Sequence, residues 1–267
     1  MWHGDSIDLM EQMPDRSVDM VLCDLPYGTT ACKWDVVIPF EKLWEQYKRV
    51  VKKNGAIVLF GAQPFTSLLI TSNLRMFKYE WVWCKNMATG FASAKYKPMR
   101  THEDILVFCD GKTTYNPILE PTISQITKDF VKRGTKHKSR PQTSPHSFGL
   151  KNEYKETEYR CMVYPKSTQR FDCVPRKSGT LHPTQKPVDL LEYLIKTYTN
   201  ETETVLDNCM GSGSTGVACM RINRVFWGIE KEREYYEIAN KRVFDAAFVN
   251  YAKVGAGETA IQEDWTK

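Results

Sequence analysis

Thr204-Val205-Leu206-Asp207-Asn208-Cys209-Met210-Gly211-Ser212-Gly213-Ser214-Thr215-Gly216 decides how this chain folds. Its first four residues read as a buried strand, and the glycine-rich turn leads into a helix running through Met220. Val225-Phe226-Trp227-Gly228-Ile229 is the next strand, so the unit is strand–helix–strand, the building block of a parallel sheet. Gly211-x-Gly213-x-x-Gly216 fits a nucleotide-binding pattern in which missing side chains let a ligand approach the backbone. Glu230 ends the second strand 19 residues after Gly211, where a carboxylate can accept from ribose hydroxyls.

In a dinucleotide site the first glycine follows its strand at once. Here Asp207-Asn208-Cys209-Met210 intervenes, and a carboxylate there suits an ammonium group better than a pyrophosphate. The pattern therefore favours S-adenosylmethionine, whose amino acid end carries an amine. A nicotinamide dinucleotide is the alternative.

Upstream, Ser17-Val18-Asp19-Met20-Val21-Leu22-Cys23 is a second buried strand, and it ends on Asp24-Leu25-Pro26-Tyr27. Pro26 stops a helix and holds Leu25 extended, leaving the Leu25 carbonyl without a ladder partner. A carboxylate, a carbonyl and an aromatic ring thus meet at the carboxyl end of a strand, where ligands bind in open α/β sheets. A planar ring bearing an exocyclic amine could donate to Asp24 and to the Leu25 carbonyl while stacking on Tyr27. Those hydrogen bonds draw the nitrogen lone pair out of conjugation and make it a nucleophile. Taken alone, four such residues are more often a capped turn.

The rest of the chain alternates in the same way. Helical spacing over 40–53 ends at Asn54-Gly55, and Ala56–Phe60 is a strand. A helix over 64–73, a strand over 79–84, a Gly- and Lys-bearing loop over 85–100 and a strand over 104–109 follow. Pro187 begins an amphipathic helix with Leu190, Leu191, Leu194, Ile195 and Tyr198 on its core side, and residues 231–248 make the last helix. The reading is a mostly parallel sheet with helices on both faces.

The periodicity lapses over 112–179, which hold 14 Lys/Arg against 6 Asp/Glu and interleave aromatics with the basic residues. The remaining residues carry 23 against 26, so the positive charge is concentrated in one segment. That pattern points to an anionic polymer as partner, with a solvated basic loop as the alternative. No apolar run approaches the ~20 residues of a membrane span. Met1-Trp2-His3-Gly4-Asp5 lacks the basic-then-apolar pattern of a signal peptide, and the eight cysteines show no C-x-x-C pair. A cytoplasmic protein without a structural metal is the expectation.

Asp24–Tyr27, His182-Pro183-Thr184-Gln185-Lys186-Pro187 and Asp207–Gly216, in this order, resemble the β class of DNA amino-methyltransferases. The resemblance covers roughly residues 1–248, with 112–179 matching by position and charge alone. It implies a circularly permuted Rossmann-like methyltransferase sheet with an inserted target-recognition region. Residues 1–111 would form the catalytic half, 112–179 the recognition region, 180–248 the cofactor half and 249–267 a tail.

It also implies roles for particular residues. Asp24, Leu25, Pro26 and Tyr27 would be catalytic, with Trp34 and the loop 28–39 closing over a flipped base. Asp207, Asn208 and the turn Gly211-Ser212-Gly213 would hold the methionine part of the cofactor, and Glu230 its ribose. Asp5 would lie near the adenine, and Thr184, Gln185 and Lys186 would close over the methionine end. Leu25 stands where the family has a proline, and Asn208-Cys209 replaces a Pro-Phe pair that would pack near the cofactor. The implied reaction is methylation of adenine N6, with cytosine N4 as the runner-up. A restriction–modification setting and a homodimer belong to the same resemblance. Outside that family, a nicotinamide-dependent oxidoreductase and a DNA-binding module without catalysis are the other readings.

Overall fold

A computed structural model describes residues 1–29, 32, 35–122, 161–174 and 185–255. The elements run β1 (Trp2–His3), α1 (Ser6–Glu11), β2 (Val18–Cys23), α2 (Phe40–Val50), β3 (Val51–Gly61) and α3 (Phe65–Ser72). Then come β4 (Phe77–Thr89), a single 3₁₀ turn (Phe91–Ser93), β5 (Arg100–Phe108), β6 (Glu120–Thr122), β7 (Cys161–Val163) and β8 (Thr168–Arg170). The chain closes with α4 (Val188–Tyr198), β9 (Thr204–Asp207), α5 (Ser214–Arg221), β10 (Val225–Glu230) and α6 (Arg233–Gly255).

The larger of two compact units, residues 1–116 and 166–267, holds an eight-stranded sheet ordered β1-β10-β9-β2-β3-β5-β4-β8. Only β5 runs against its neighbours β3 and β4; the other pairings are parallel. The side chains of β2 explain the layering, because successive residues of a strand face opposite ways. Met20 and Leu22 pack with Leu190, Leu194, Ala218 and Val243, so α4, α5 and α6 cover one face. Val21 and Cys23 pack with Met10, Leu43, Tyr47 and Leu69, so α1, α2 and α3 cover the other. The smaller unit spans Pro117–Pro165, and its described part is the antiparallel pair β6–β7.

The topology places a switch point between β9 and β2. From β9 the chain passes through α5 to β10 on one side, and from β2 through α2 to β3 on the other. Neighbouring parallel strands whose connections diverge leave a crevice at their carboxyl ends. Asp207 ends β9 and Asp24 follows β2, so both carboxylates stand at that crevice.

Several boundaries differ from those read in the sequence. Helix α2 stops at Val50, and β3 begins at Val51, which pairs with Val18. The ladder then shifts register before Met20 meets Ala56, and Gly55 sits in that irregularity. A Cβ there would come 2.7 Å from the Asp19 carbonyl oxygen, so Asn54-Gly55 serves a bulge instead of a helix end. The loop expected over 85–100 opens as strand, since β4 runs to Thr89, and its remainder up to Arg100 is a 3₁₀ turn and irregular chain. The basic segment supplies β8, held on the sheet edge by β4. The final helix reaches Gly255, past the expected start of the tail. Residues 256–267 lie outside the described part.

Candidate active site

Two strand ends open into one cavity of about 940 Å³. On the β9 side its wall is built by Asp207, Asn208, Gly211, Ser212 and Glu230, and by Asp5 from the start of α1. On the β2 side it is built by Asp24, Leu25, Pro26, Tyr27, Gln185 and Lys186. Every expected site residue within the described part lines it except Gly213. Thr184, His182 and Trp34 fall outside the described residues.

The glycine turn shows why its residues have these identities. Gly211 and Gly213 adopt φ of 51° and 78°, a left-handed backbone that side chains disfavour. Gly213 faces away from the cavity, and a Cβ there would stand 2.9 Å from the Ala239 Cβ of α6. At Gly216 an added Cβ would come 2.5 Å from Val243 and 2.7 Å from Phe226. These two glycines therefore let α5 pack closely on α6 and β10. Arg242 of α6 clamps the turn from behind by donating to the Ser212 carbonyl at 2.5 Å.

The acidic groups of this half are fixed by the backbone. One Glu230 oxygen accepts from the Gly211 amide at 2.8 Å, and the other accepts from the Glu232 amide at 2.8 Å. Each oxygen keeps a lone pair for a hydroxyl donor. Asp207 accepts from the Thr215 hydroxyl at 2.6 Å and from the Cys209 amide at 3.2 Å. Burial nonetheless pushes its carboxyl up to about 6. Asp5 caps α1 by accepting from the Ile7 amide at 3.0 Å, and Lys231 pairs with its other oxygen at 3.2 Å. Asn208, which stands where an aromatic-bearing pair was expected, accepts from the buried Tyr47 hydroxyl at 2.6 Å. Three carboxylates around a glycine-lined turn form an acceptor set for a cationic ligand that also carries hydroxyls.

In the other half Asp24 is the centre of an alternating chain of charge. The Tyr27 hydroxyl donates to one of its oxygens at 2.8 Å, and the Lys186 ammonium is bound to the other. Lys186 also faces Glu103 of β5 at 3.5 Å, and Glu103 in turn holds Lys85 of β4. The far Glu103 oxygen is buried without a hydrogen bond, so Lys186 meets it as a charge only. Phe60 lies under the same ammonium, 4.9 Å from the ring centre. Burial raises the Asp24 carboxyl and the Glu103 charge adds to that, while Lys186 and Tyr27 oppose it. Asp24 shifts upward on balance; Glu103, between two lysines, is lowered.

Tyr27 stacks on Phe65 with ring centres 4.7 Å apart and planes at 21°, so its ring is held flat at the cavity wall. Asp35 accepts from the Gly28 and Thr29 amides, both at 2.9 Å, and fixes the turn after Tyr27. Among the described residues no backbone hydrogen bond ends on the Leu25 carbonyl.

Sequence reading missed Glu103, Lys85 and Asp35, which carry no motif. It singled out Lys186 for the methionine end of a cofactor and did not foresee the bond its ammonium makes to Asp24, 162 residues earlier.

Comparison with known proteins agrees with this geometry. Residues 18–241 match the N6/N4 methyltransferase family described as DNA methylase. The type II methyltransferase M2.DpnII of Streptococcus pneumoniae is 52% identical, with 90% of this chain and 88% of that protein covered. The DNA adenine methyltransferase YhdJ of Escherichia coli K12 is 27% identical, covering 90% and 81%. Among solved structures, the M1.HpyAVI–SAM complex aligns at a TM-score of 0.57 and 25% identity, over 91% of this chain and 97% of that one. The match spans both halves of the cavity and the whole switch point: this chain belongs to the N6/N4 family of DNA methylases.

Proposed function

We propose that this chain transfers a methyl group from S-adenosylmethionine to the exocyclic N6 of an adenine flipped out of DNA. One observation carries the reading: Asp24, gripped by Tyr27 and Lys186, shares a single cavity with the acidic, glycine-lined wall at Asp207 and Glu230. Family membership removes the oxidoreductase alternative. The chain order, with the Asp24 strand before the glycine unit, supports the permuted class of the family.

The β9 wall fits the cofactor. Asp207 would meet its ammonium, Glu230 its ribose hydroxyls, and the Gly211-Ser212 backbone its amino acid end, with Asp5 toward the adenine. S-adenosylmethionine, when bound, supplies an electrophilic methyl group. The protein's own part is to present the nitrogen. A base entering beside Tyr27 extends the Tyr27–Phe65 stack, and its amine donates to Asp24 and to the Leu25 carbonyl. Alignment of this kind and fixed acceptors at the reacting nitrogen are established sources of rate. Lys186 and Tyr27 hold the carboxylate so that it need not reorient when the base arrives. The methylated nitrogen must shed one proton, and Asp24, raised by burial, is the acceptor placed on it. Extrusion of the base is required because the amine is paired inside a duplex.

Adenine is the reading because the motif begins with Asp and YhdJ, a relative along most of the chain, is a DNA adenine methyltransferase. The test is transfer of labelled methyl to mixed-sequence DNA followed by nucleoside mass spectrometry, with Asp24→Ala as control. N6-methyladenine that disappears in the variant is the expected result. N4-methylcytosine would move the reaction to the other base. Cofactor binding without any methylated base would leave a binding module.

A further inference from the structure

Beyond Cys84 the β4–β5 pair extends into a hairpin whose residues from Asn86 to His102 are exposed apart from Ser93. A stretch this open cannot be there to build the core. Its composition is selective: from Lys85 to His102 it holds Lys85, Lys95, Lys97 and Arg100 and no acidic residue. It also holds two large rings left mostly bare, Phe91 at 83% and Tyr96 at 89% exposure. Aromatic rings left bare among lysines cost hydrophobic free energy unless a partner covers them.

The tip is built to hold them. Gly90, at φ 91°, starts a 3₁₀ turn in which the Ser93 amide donates to the Gly90 carbonyl at 3.0 Å. The Tyr96 and Lys97 amides both donate to the Ser93 carbonyl, at 2.9 and 3.1 Å. At the base, Arg100 donates to the Gln63 carbonyl at 3.0 Å, and Asn86 accepts from the Cys173 amide at 2.9 Å. The position matters as much as the composition. Met87, Thr89 and Arg100 line the same cavity as Asp24 and Tyr27, so the hairpin rises from its rim.

We propose that the hairpin from Asn86 to Arg100 grips the DNA strand carrying the target base, with Lys95 and Lys97 on phosphates and Phe91 and Tyr96 stacked on bases bared by the flip. Charge complementarity selects the polymer. The rings select its unpaired bases, since any base offers a π-face for stacking. This rests on the DNA-methylation reading above, because only an extruded base leaves unstacked neighbours beside the cavity.

Two double variants test it, Phe91→Ala with Tyr96→Ala and Lys95→Ala with Lys97→Ala, each against wild type. Binding of a fluorescent mixed-sequence oligonucleotide is followed over a salt series, together with methyl transfer and S-adenosylhomocysteine affinity. The lysine pair should flatten the log–log salt slope by about 1 per lysine. The aromatic pair should weaken DNA binding by about tenfold or more, at ~1–3 kcal/mol per stacked base. Its effect on the salt slope should be small, and cofactor affinity should be unchanged in both. Wild-type DNA affinity and transfer in both variants would overturn the proposal while leaving the enzyme's function intact. A halved mass by light scattering in the aromatic variant would overturn it in favour of a second copy of the chain. Absence of any methyl transfer by the wild type would sink the underlying reading, and the hairpin's role with it.

Discussion

At the scale of single residues, the site depends on where two carboxylates sit on the proton scale. Asp24 is raised by burial and by Glu103, and lowered by Lys186 and Tyr27, with Asp207 across the cleft. Since the amine must donate to an ionised Asp24, rate should fall on acidification at a pH above that of an ordinary aspartate. Glu103→Gln removes a charge that raises Asp24 and should move this acid limb down; Lys186→Met should move it up. Opposed shifts in the pH profile of kcat are the expected signature, and equal shifts would remove Lys186 and Glu103 from the electrostatics of the reaction. Lys186→Met should also cost about 3–5 kcal/mol of stability, because Asp24 then keeps the Tyr27 hydroxyl but loses its cation, while Glu103 keeps Lys85. Asp207 gives a second pH test. Its pKa of about 6 in the folded chain lies above the ordinary 3.8, so its proton stabilises the fold at low pH. That contribution, on the order of 3 kcal/mol, is lost as pH rises through about 6. In the proposed cofactor site an ammonium would offset the buried charge. The melting-temperature gain with S-adenosylhomocysteine should therefore be larger at pH 7.5 than at pH 5.5, and Asp207→Asn should flatten the difference.

At the scale of elements, the strand ends were legible and the strands' neighbours were not. Asp24 and Asp207 could be read because a carboxylate closing an apolar strand is a local pattern of adjacent residues. Glu103 and Lys85 look like solvent positions on half-polar strands. Only the β4–β5 ladder, with Trp83 opposite Glu103, turns them toward Lys186. Phe91 and Tyr96 were hidden in the same way, inside what reads as an ordinary Gly- and Lys-bearing loop. The glycine turn was legible as a motif, yet its three glycines divide the work: Gly211 faces the cavity, while Gly213 and Gly216 permit packing. Gly216→Ala should accordingly behave as a core overpacking change, costing ~1–3 kcal/mol. Differential scanning calorimetry would detect it. An unchanged melting temperature would mean that α5 and α6 have room the structure does not show.

At the scale of the whole molecule, every described site residue belongs to the larger unit, whereas Pro117–Pro165 forms a unit of its own with nine Lys/Arg against five Asp/Glu. The sequence marked this region by charge and lost periodicity, signals that give a segment's partner but no contact map. The residues of the larger unit that flank this region are bonded within the larger unit itself. Asn116 donates its backbone amide to the Thr197 carbonyl at 2.8 Å and its side chain to the Thr199 carbonyl at 3.1 Å. At the other junction the Ser167 carbonyl accepts from the Val82 amide at 2.7 Å, next to β8. The sheet edge therefore does not need residues 117–165 to hold it. Replacing them with a flexible Gly/Ser linker between Asn116 and Lys166 should leave cofactor affinity and a cooperative thermal transition in place. Methylation should lose its confinement to particular sequences or vanish on duplex DNA, as expected where phosphate contacts position and side chains in an inserted region read bases. Sequencing of modified bases on a plasmid would score the outcome. An unaltered pattern of methylated sites would place sequence readout in the larger unit, with the rim hairpin the first region to search.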